Sequence, residues 1–380
     1  MTDFENVSAM LRSLQPREPV YCVYPHVYRK TAQEFLTGFP GRVLYAVKAN
    51  NDPTVLQVLV AAGVEHFDCA SLVEIEQVRD ISHDTVCYFM NPVRLIGAAR
   101  SAQEQHGVKH FVVDHADGLA TLVKEIDASR AVIFARMAVH HKSSRWDLST
   151  KFGAPPDDMP QLLQLIADHG AEPALAFNVG SVVMSPDAFV HSIEVTTKVL
   201  EQLPFQIRLV DIGGGYPKTY PGFEAPPIED YFIAIRRAAK LLLKDGGEVL
   251  TEPGRALSAP GLSAVTQVLL RKDDRLYLND GMYGTFWELR FDVQDRFPVR
   301  AFRGHTEMTG DPQSFRLYGP TCDSGDAFPG KVMLPADLDV GDYLEFGMMG
   351  AYSLSGRTDF NGFYSDTVVR IESESAFPPA

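Results

Sequence analysis

Four short stretches hold residue types that could do chemistry together. Lys48, in Tyr45-Ala46-Val47-Lys48-Ala49-Asn50, closes an apolar run of β type. A strand-end lysine is most often a solvated cap. One that emerges from an apolar strand into a half-closed mouth is desolvated, and its neutral amine is the form that makes an imine with an aldehyde. Asp211-Ile212-Gly213-Gly214-Gly215-Tyr216 sets three glycines directly after another such run, so that amides without side chains can converge on an anion. A tight turn alone rarely needs three, and the spacing matches neither the P-loop nor the dinucleotide fingerprint, which favours a single phosphate monoester over a nucleotide. Thr251-Glu252-Pro253-Gly254-Arg255 places a carboxylate and a guanidinium three residues apart. In isolation a surface ion pair is an equally good reading; in a phosphate-binding barrel, Glu252 suits a protonated pyridine nitrogen and Arg255 the phosphate oxygens. The fourth stretch, Gly319-Pro320-Thr321-Cys322-Asp323-Ser324-Gly325-Asp326, is either an ordinary turn or a loop presenting a proton donor, Cys322, and a cation ligand, Asp323.

These residues need a frame that brings strand ends together. Between about residues 40 and 255, eight apolar β-type runs (Val43–Val47, Val64–Cys69, Val86–Met90, Lys109–Val113, Ala131–Val139, Ala174–Val179, Ile207–Ile212, Glu248–Leu250) alternate with segments of helical period. The helical segments are Asp52–Ala62, Ser71–Asp80, Ala116–Ile126, Pro160–His169, Pro186–Leu203 and Tyr231–Leu243. A doubly wound open sheet and a (β/α)8 TIM-like barrel both have this alternation. The polar residues tip the balance: Lys48, Asp68, Asn91, Asp114, Asn178, Asp211 and Glu252 lie at or just after the ends of the runs, with Arg136 inside the fifth, and in a closed barrel the C-terminal strand ends converge on one site. After Arg255 the helical period gives way to strands punctuated by Gly, Pro and Asn279-Asp280-Gly281, at Leu262–Leu270, Arg275–Leu278, Val299–Phe302, Phe315–Tyr318, Tyr343–Phe346 and Thr367–Ile371. The reading is an α/β chain: a barrel over 28–257, a C-terminal all-β domain over 258–380, and an N-terminal segment, 1–27, that packs with the β domain.

Composition narrows the partners. With 49 acidic and 35 basic side chains in 380 residues, the formal charge of −14 argues against nucleic acid and anionic membrane, and mildly favours a cationic small substrate. Cys22, Cys69, Cys87 and Cys322 are too scattered for a zinc site or a disulfide framework, which suits a reducing compartment. His140 and His141 are adjacent, so on an extended strand they point to opposite faces, and no metal site is assigned. The N-terminus lacks a basic flank with an apolar core, and the run Val58–Val64 is too short to span a bilayer; the expectation is a cytoplasmic protein.

Taken in order, the four stretches resemble the fold-type III pyridoxal-phosphate decarboxylases, the ornithine/diaminopimelate/arginine decarboxylase family, over nearly the whole chain. Further matches are Phe67-Asp68-Cys69-Ala70-Ser71 with Glu74, Lys151-Phe152-Gly153, Gly180-Ser181, Asn279-Asp280-Gly281, and Gly350-Ala351-Tyr352 with Phe360-Asn361-Gly362-Phe363. The resemblance implies that Lys48 attaches pyridoxal 5′-phosphate covalently and that Glu252 keeps its ring nitrogen protonated. It implies further that Asp68, Arg136 and Asn178 border the cofactor, and that Ser181, Gly213, Gly214, Gly215, Arg255 and Tyr352 hold the phosphate. Cys322 would protonate the product carbon from the partner subunit of a homodimer with shared active sites, Asp323 and Asp292 would bind the substrate's distal amine, Phe360 would line the substrate site, and Lys151 and Asp326 would pair between subunits. Diaminopimelate decarboxylases typically carry Cys-Glu-Ser at this loop. Cys322-Asp323-Ser324 therefore favours a diamino acid with a bare terminal amine, L-ornithine or L-lysine or a close analogue, and a place in polyamine biosynthesis.

Two departures stand out. Phe177-Asn178-Val179-Gly180-Ser181 has an amide where the family usually has a histidine stacked on the cofactor ring, and Phe291 stands where ornithine-specific members often have tyrosine. They keep two other readings open: a decarboxylase-like regulatory binding protein without turnover, and a different reaction at the same cofactor, racemisation or decarboxylation-coupled oxidation.

Overall fold

The computed structural model describes residues 2–142, 144–146, 150–242, 246–290, 297–373 and 377, and the chain divides into two compact units. One comprises Ala32–Pro217 and Ala225–Ala256; the other comprises Met1–Thr31, Lys218–Glu224 and Leu257–Ala380.

The first unit is a closed barrel of eight parallel strands: β1 (Arg42–Ala46), β2 (His66–Cys69), β3 (Val86–Phe89), β4 (His110–Val113), β5 (Val132–Met137), β6 (Glu172–Phe177), β7 (Leu209–Asp211) and β8 (Glu248–Thr251). The ring closes where β8 pairs with β1 through Leu250↔Arg42 and Thr251↔Val43, so the open-sheet alternative is excluded. Local chemistry starts the helices between the strands. Asp52 accepts from the Thr54 amide at 2.8 Å with Pro53 at the first helical position, and Ser71 accepts from the Glu74 amide at 3.2 Å while Glu74 reaches back to the Ala70 amide at 2.6 Å. The helix Ala98–His106 carried no clear sequence signal, because the face it buries consists of Ala98, Ala99, Ala102 and Gln103 rather than large apolar residues.

A period of two decides which side chains look into the barrel. Leu44, Tyr88, Val112, Phe134, Ala174, Ala176 and Leu250 form the interior cluster, with Leu209 packed against it. Two residues further along the same inward rows stand Arg136, Asn178, Asp211 and Glu252. At the opposite end, Arg42 Nη1 donates to the Tyr88 hydroxyl at 2.7 Å and also pairs with Glu248, while Tyr88 stacks on His110 with centroids 4.0 Å apart. Burial, with the Arg42 charge acting in the same direction, lowers His66 to about 4 and His110 to about 3, so both rings are neutral at neutral pH.

The second unit is built on a ten-stranded sheet. Its long strand Leu262–Lys272 pairs antiparallel with Val20–Val23 and Tyr343–Phe346 along its first half and with Arg275–Leu278 along its second, the register shifting between Val268 and Leu270. Val20–Val23, in turn, pairs with Val368–Ile371. Beneath them lies a core that includes Val20, Cys22, Val265, Phe302 and Ile371.

Candidate active site

At the C-terminal end of β1 a single 3₁₀ turn, Val47–Ala49, carries Lys48. Its Nζ donates to Asp68 Oδ2 at 2.6 Å; Asp68 is buried, whereas the lysine side chain is 44% exposed, so the amine is oriented by a buried acid yet open to a reactant. Beyond Lys48, the Tyr45 hydroxyl donates to the Asn50 carbonyl at 3.0 Å and holds the segment in place. Behind Asp68, burial raises Glu74 above the usual carboxylate range, opposed by the Ala70 amide and reinforced by the Asp68 charge.

The three glycines prove necessary for different reasons. Gly213 and Gly215 have φ of 68° and 104°, the left-handed region that side chains avoid. A Cβ on Gly214 would lie 2.2 Å from the Glu252 carbonyl, and one on Gly215 would lie 2.4 Å from that of Gly180. The turn is fastened to β8, since Gly213 O accepts from the Glu252 amide at 2.9 Å and from Thr251 Oγ1 at 2.8 Å, and Thr251 is itself bonded to Tyr216. The Gly213 amide donates to Asp211 Oδ1 at 2.8 Å. Gly213 therefore shapes the turn.

Around this turn lie the remaining barrel residues singled out in the sequence. Asn178 Oδ1 accepts from the Gly180 amide at 2.9 Å and its backbone backs onto Gly213. Ser181 opens the short strand Ser181–Val183, in which Val182 holds an uncommon φ of 52° for a β-branched residue. Arg255, buried, opens the helix Arg255–Ser258, and Arg136 lies over the Phe152 ring at 5.3 Å. Burial drives Glu252 well above the usual range for a carboxyl, the charges of Asp211 and Asp68 adding to it and those of Lys48 and Arg136 opposing. Asp211, which sequence reasoning noted only as a strand-end acid, is pushed up to about 7 by burial.

On the second unit, Cys322 and Asp323 are exposed side by side. Asp323 accepts from the Tyr283 hydroxyl and from the Gly325 amide at 2.8 Å, and the Tyr283 bond holds its carboxyl below the usual range. Phe360 packs on Tyr283 with centroids 4.5 Å apart and the planes tilted by 30°, the Arg290 guanidinium lies over the Tyr283 ring at 4.0 Å, and the Cys322 amide donates to Asn361 Oδ1 at 3.2 Å. Tyr283 and Arg290 went unread in the sequence; the only signal was their position just after Asn279-Asp280-Gly281. Asp292, with Phe291, lies outside the described residues. Tyr352 sits elsewhere in this unit, packed on the cluster of Tyr220, Ala259, Met348 and Ala351, its carbonyl accepting from Trp287 Nε1. Asp326 is 2% exposed on a single chain, and its carboxylate accepts from the Met282 amide at 2.7 Å and from the Thr321 amide and hydroxyl at 3.0 and 2.7 Å. Lys151 lies over the Phe152 ring at 4.9 Å.

A barrel whose mouth joins an acid-oriented lysine, a glycine turn and a raised carboxyl belongs to the class that handles an aldehyde cofactor carrying a phosphate. The comparisons agree. Residues 26–259 match the pyridoxal binding domain of the pyridoxal-dependent decarboxylases, and the chain belongs to that family. It is 32% identical over 352 residues to ornithine decarboxylase of Schizosaccharomyces pombe, covering 87% of this chain and 78% of that protein. It is also 32% identical over 361 residues to antizyme inhibitor 2 of Xenopus laevis, covering 88% and 76%. The lysine/ornithine decarboxylase of Vibrio vulnificus, solved with putrescine, superposes with a TM-score of 0.82 at 28% identity, over 97% of each chain.

The cofactor is pyridoxal 5′-phosphate, and the barrel residues fit it. The glycine turn carries no side chain to obstruct an anion at its amides, buried Arg255 supplies positive charge, Lys48 is reachable, and Glu252 is an acid held ready to keep a proton. When bound, the cofactor accepts the electrons of the broken Cα–carboxylate bond, which makes the protein a carboxy-lyase.

Proposed function

We propose that this decarboxylase converts L-ornithine or L-lysine, or a close analogue, to the corresponding diamine and carbon dioxide, in the cytoplasm, as a homodimer with shared active sites. The observation that carries the reading is the Lys48–Asp68 contact at 2.6 Å in the mouth that also holds Glu252 and the glycine turn, since a protein that only binds has no use for a reachable, oriented amine. In this reading Lys48 holds the cofactor, Glu252 keeps a proton at its ring nitrogen, and Asp68 and Arg136 hold those two groups in position. Gly214, Gly215, Ser181, Arg255 and Tyr352 bind the phosphate, Gly213 shapes their turn, and Asn178 borders the ring.

Exposure of Cys322 and Asp323 on a single chain supports their action in the partner's site, with Cys322 delivering the proton to the product carbon and Asp323, Asp292 and Phe360 receiving the distal end of the substrate. The boundaries 1–27, 28–257 and 258–380 are proposed as the N-terminal segment, the cofactor domain and the β domain. An acid already engaged by Tyr283 keeps lone pairs for an ammonium and discriminates against substrates without one, because they leave it unanswered.

Cofactor-loaded protein should be offered L- and D-ornithine, lysine, arginine, diaminopimelate and N-modified analogues, with products identified by mass spectrometry. Diamine from L-ornithine or L-lysine supports the reading. A racemised amino acid or a carbonyl product identifies another reaction, and spectral change without product supports the regulatory alternative, which similarity to an antizyme inhibitor keeps in view. Cys322→Ala should impair product formation with cofactor absorbance intact, and Asp323→Asn should raise KM about tenfold or more. A C322A enzyme with unchanged turnover removes that thiol from the chemistry.

A further inference from the structure

Asp211 has no part in the roles above, yet it stands in the mouth of the barrel. It is 1% exposed; one carboxyl oxygen accepts from the Gly213 amide at 2.8 Å, and the other, Oδ2, is buried without a hydrogen-bond donor among the described residues. An ionised carboxylate so placed is strongly disfavoured. The group that faces it from the next strand is another acid. β7 and β8 run in register through Asp211↔Leu250, and the Glu252 amide donates to Gly213 O at 2.9 Å, which sets the Glu252 and Asp211 carboxyls beside each other. Two ionised carboxylates in contact have acceptors only; a single proton between them supplies the missing donor and removes one of two like charges.

We propose that Asp211 is a positioning residue that shares one proton with Glu252, and that the pair, rather than Glu252 alone, sets the charge presented to the cofactor's ring nitrogen. The proposal deepens, and rests on, the assignment of Glu252 to that nitrogen. Burial raises both acids; among the described residues that face them, Asp68 on β2 pushes the pair toward holding its proton, Lys48 beyond β1 and Arg136 on β5 push against it, and the neutral hydroxyls of Tyr88 on β3 and Tyr216 after the turn carry no charge at neutral pH. The Gly213 bond is a separate, structural duty of Asp211. It can be kept while the proton is removed, because in Asp211→Asn the amide oxygen still accepts from Gly213 and the amide nitrogen becomes the donor to Glu252.

The test is infrared difference spectroscopy of the protonated-carboxyl band, titrated with pH on the cofactor-free protein. The wild-type spectrum should contain a component that persists through neutral pH. In Asp211→Asn its midpoint should fall by about one pH unit or more, the order of shift that removing a charged neighbour produces. Glu252→Gln should lower the midpoint of the acid left at position 211 in the same way, and that variant alone decides the matter if Asp211→Asn does not fold. In the holoenzyme, the pH profile of cofactor absorbance should move in the same direction in Asp211→Asn. A band with the wild-type midpoint in both variants overturns the proposal. Since the band is read without cofactor, a protein that fails to take up pyridoxal phosphate would sink the assignment of Glu252 to the ring, while the sharing of the proton would still be decided.

Discussion

The two ends of the barrel use the same strands to opposite purposes. At the N-terminal end, Arg42 bridges Tyr88 and Glu248, Tyr88 stacks on His110, and both histidines are held neutral. At the C-terminal end, Lys48 is half-exposed on a buried acid, Asp211 keeps an oxygen without a donor among the described residues, and Glu252 is driven toward holding a proton. At the floor the charged groups answer each other, Arg42 with Glu248 and with the Tyr88 hydroxyl, and the buried His110 Nδ1 that has no hydrogen-bond partner among the described residues belongs to a neutral ring; at the mouth the groups left partly unanswered are acids and an amine, and that residual demand is what a cofactor and substrate satisfy.

Variants at the two ends should therefore fail differently. Lys48→Ala should cost about 10⁴-fold in kcat and abolish the absorbance of covalently held cofactor, with the melting temperature of the cofactor-free protein little changed. A stability loss instead would erase the distinction between the ends. Tyr88→Ala should do the reverse, costing about 3–5 kcal/mol in denaturant unfolding while molecules that remain folded keep their cofactor spectrum. The pH dependence of stability should carry opposite signs. His66 and His110 bind protons more weakly folded than unfolded, so their contribution is fully present above about pH 6.5 and is lost as pH falls toward 4 and 3. Asp211, raised from 3.8 to about 7, binds its proton more tightly folded, so its contribution is present below about pH 4 and is lost as pH rises toward 7. Melting curves of cofactor-free His110→Phe and Asp211→Asn, recorded from pH 4 to pH 8, should each flatten one of these slopes; a change in the same slope for both would contradict the division. The smallest effect belongs to Tyr88→Phe, which keeps the stacked ring but takes the acceptor from Arg42, for about 1 kcal/mol and no change in kcat.

Much of this was legible before the structure. The eight apolar runs fall on the eight barrel strands within about two residues at most of their ends, because a strand buried on both faces writes itself as a short, dense apolar string. The helix Ala98–His106 and the strand Val20–Val23 are not legible in the sequence, the first for want of large apolar residues and the second for want of any local pattern to announce distant partners. Lys48, Asp68, Gly213 to Gly215, Glu252 and Arg255 could be singled out because their types and their place at strand ends are local properties. Tyr283 and Arg290, which frame Asp323 and its neighbour Phe360, could not.

What the sequence determined by itself was the inventory of the mouth: which strands exist, which residues end them, and the need for glycine where backbones approach within a bond's reach of one another. Tertiary structure alone sets how the charges answer each other: that Lys48 meets Asp68, that the Asp326 carboxylate is engaged within its own chain, and that Asp211 stands beside Glu252 with one oxygen lacking a donor among the described residues. The physical reason is that periodicity and residue type act over a few neighbours along the chain, whereas burial and Coulomb interaction depend on distances across strands, which only the closed ring defines.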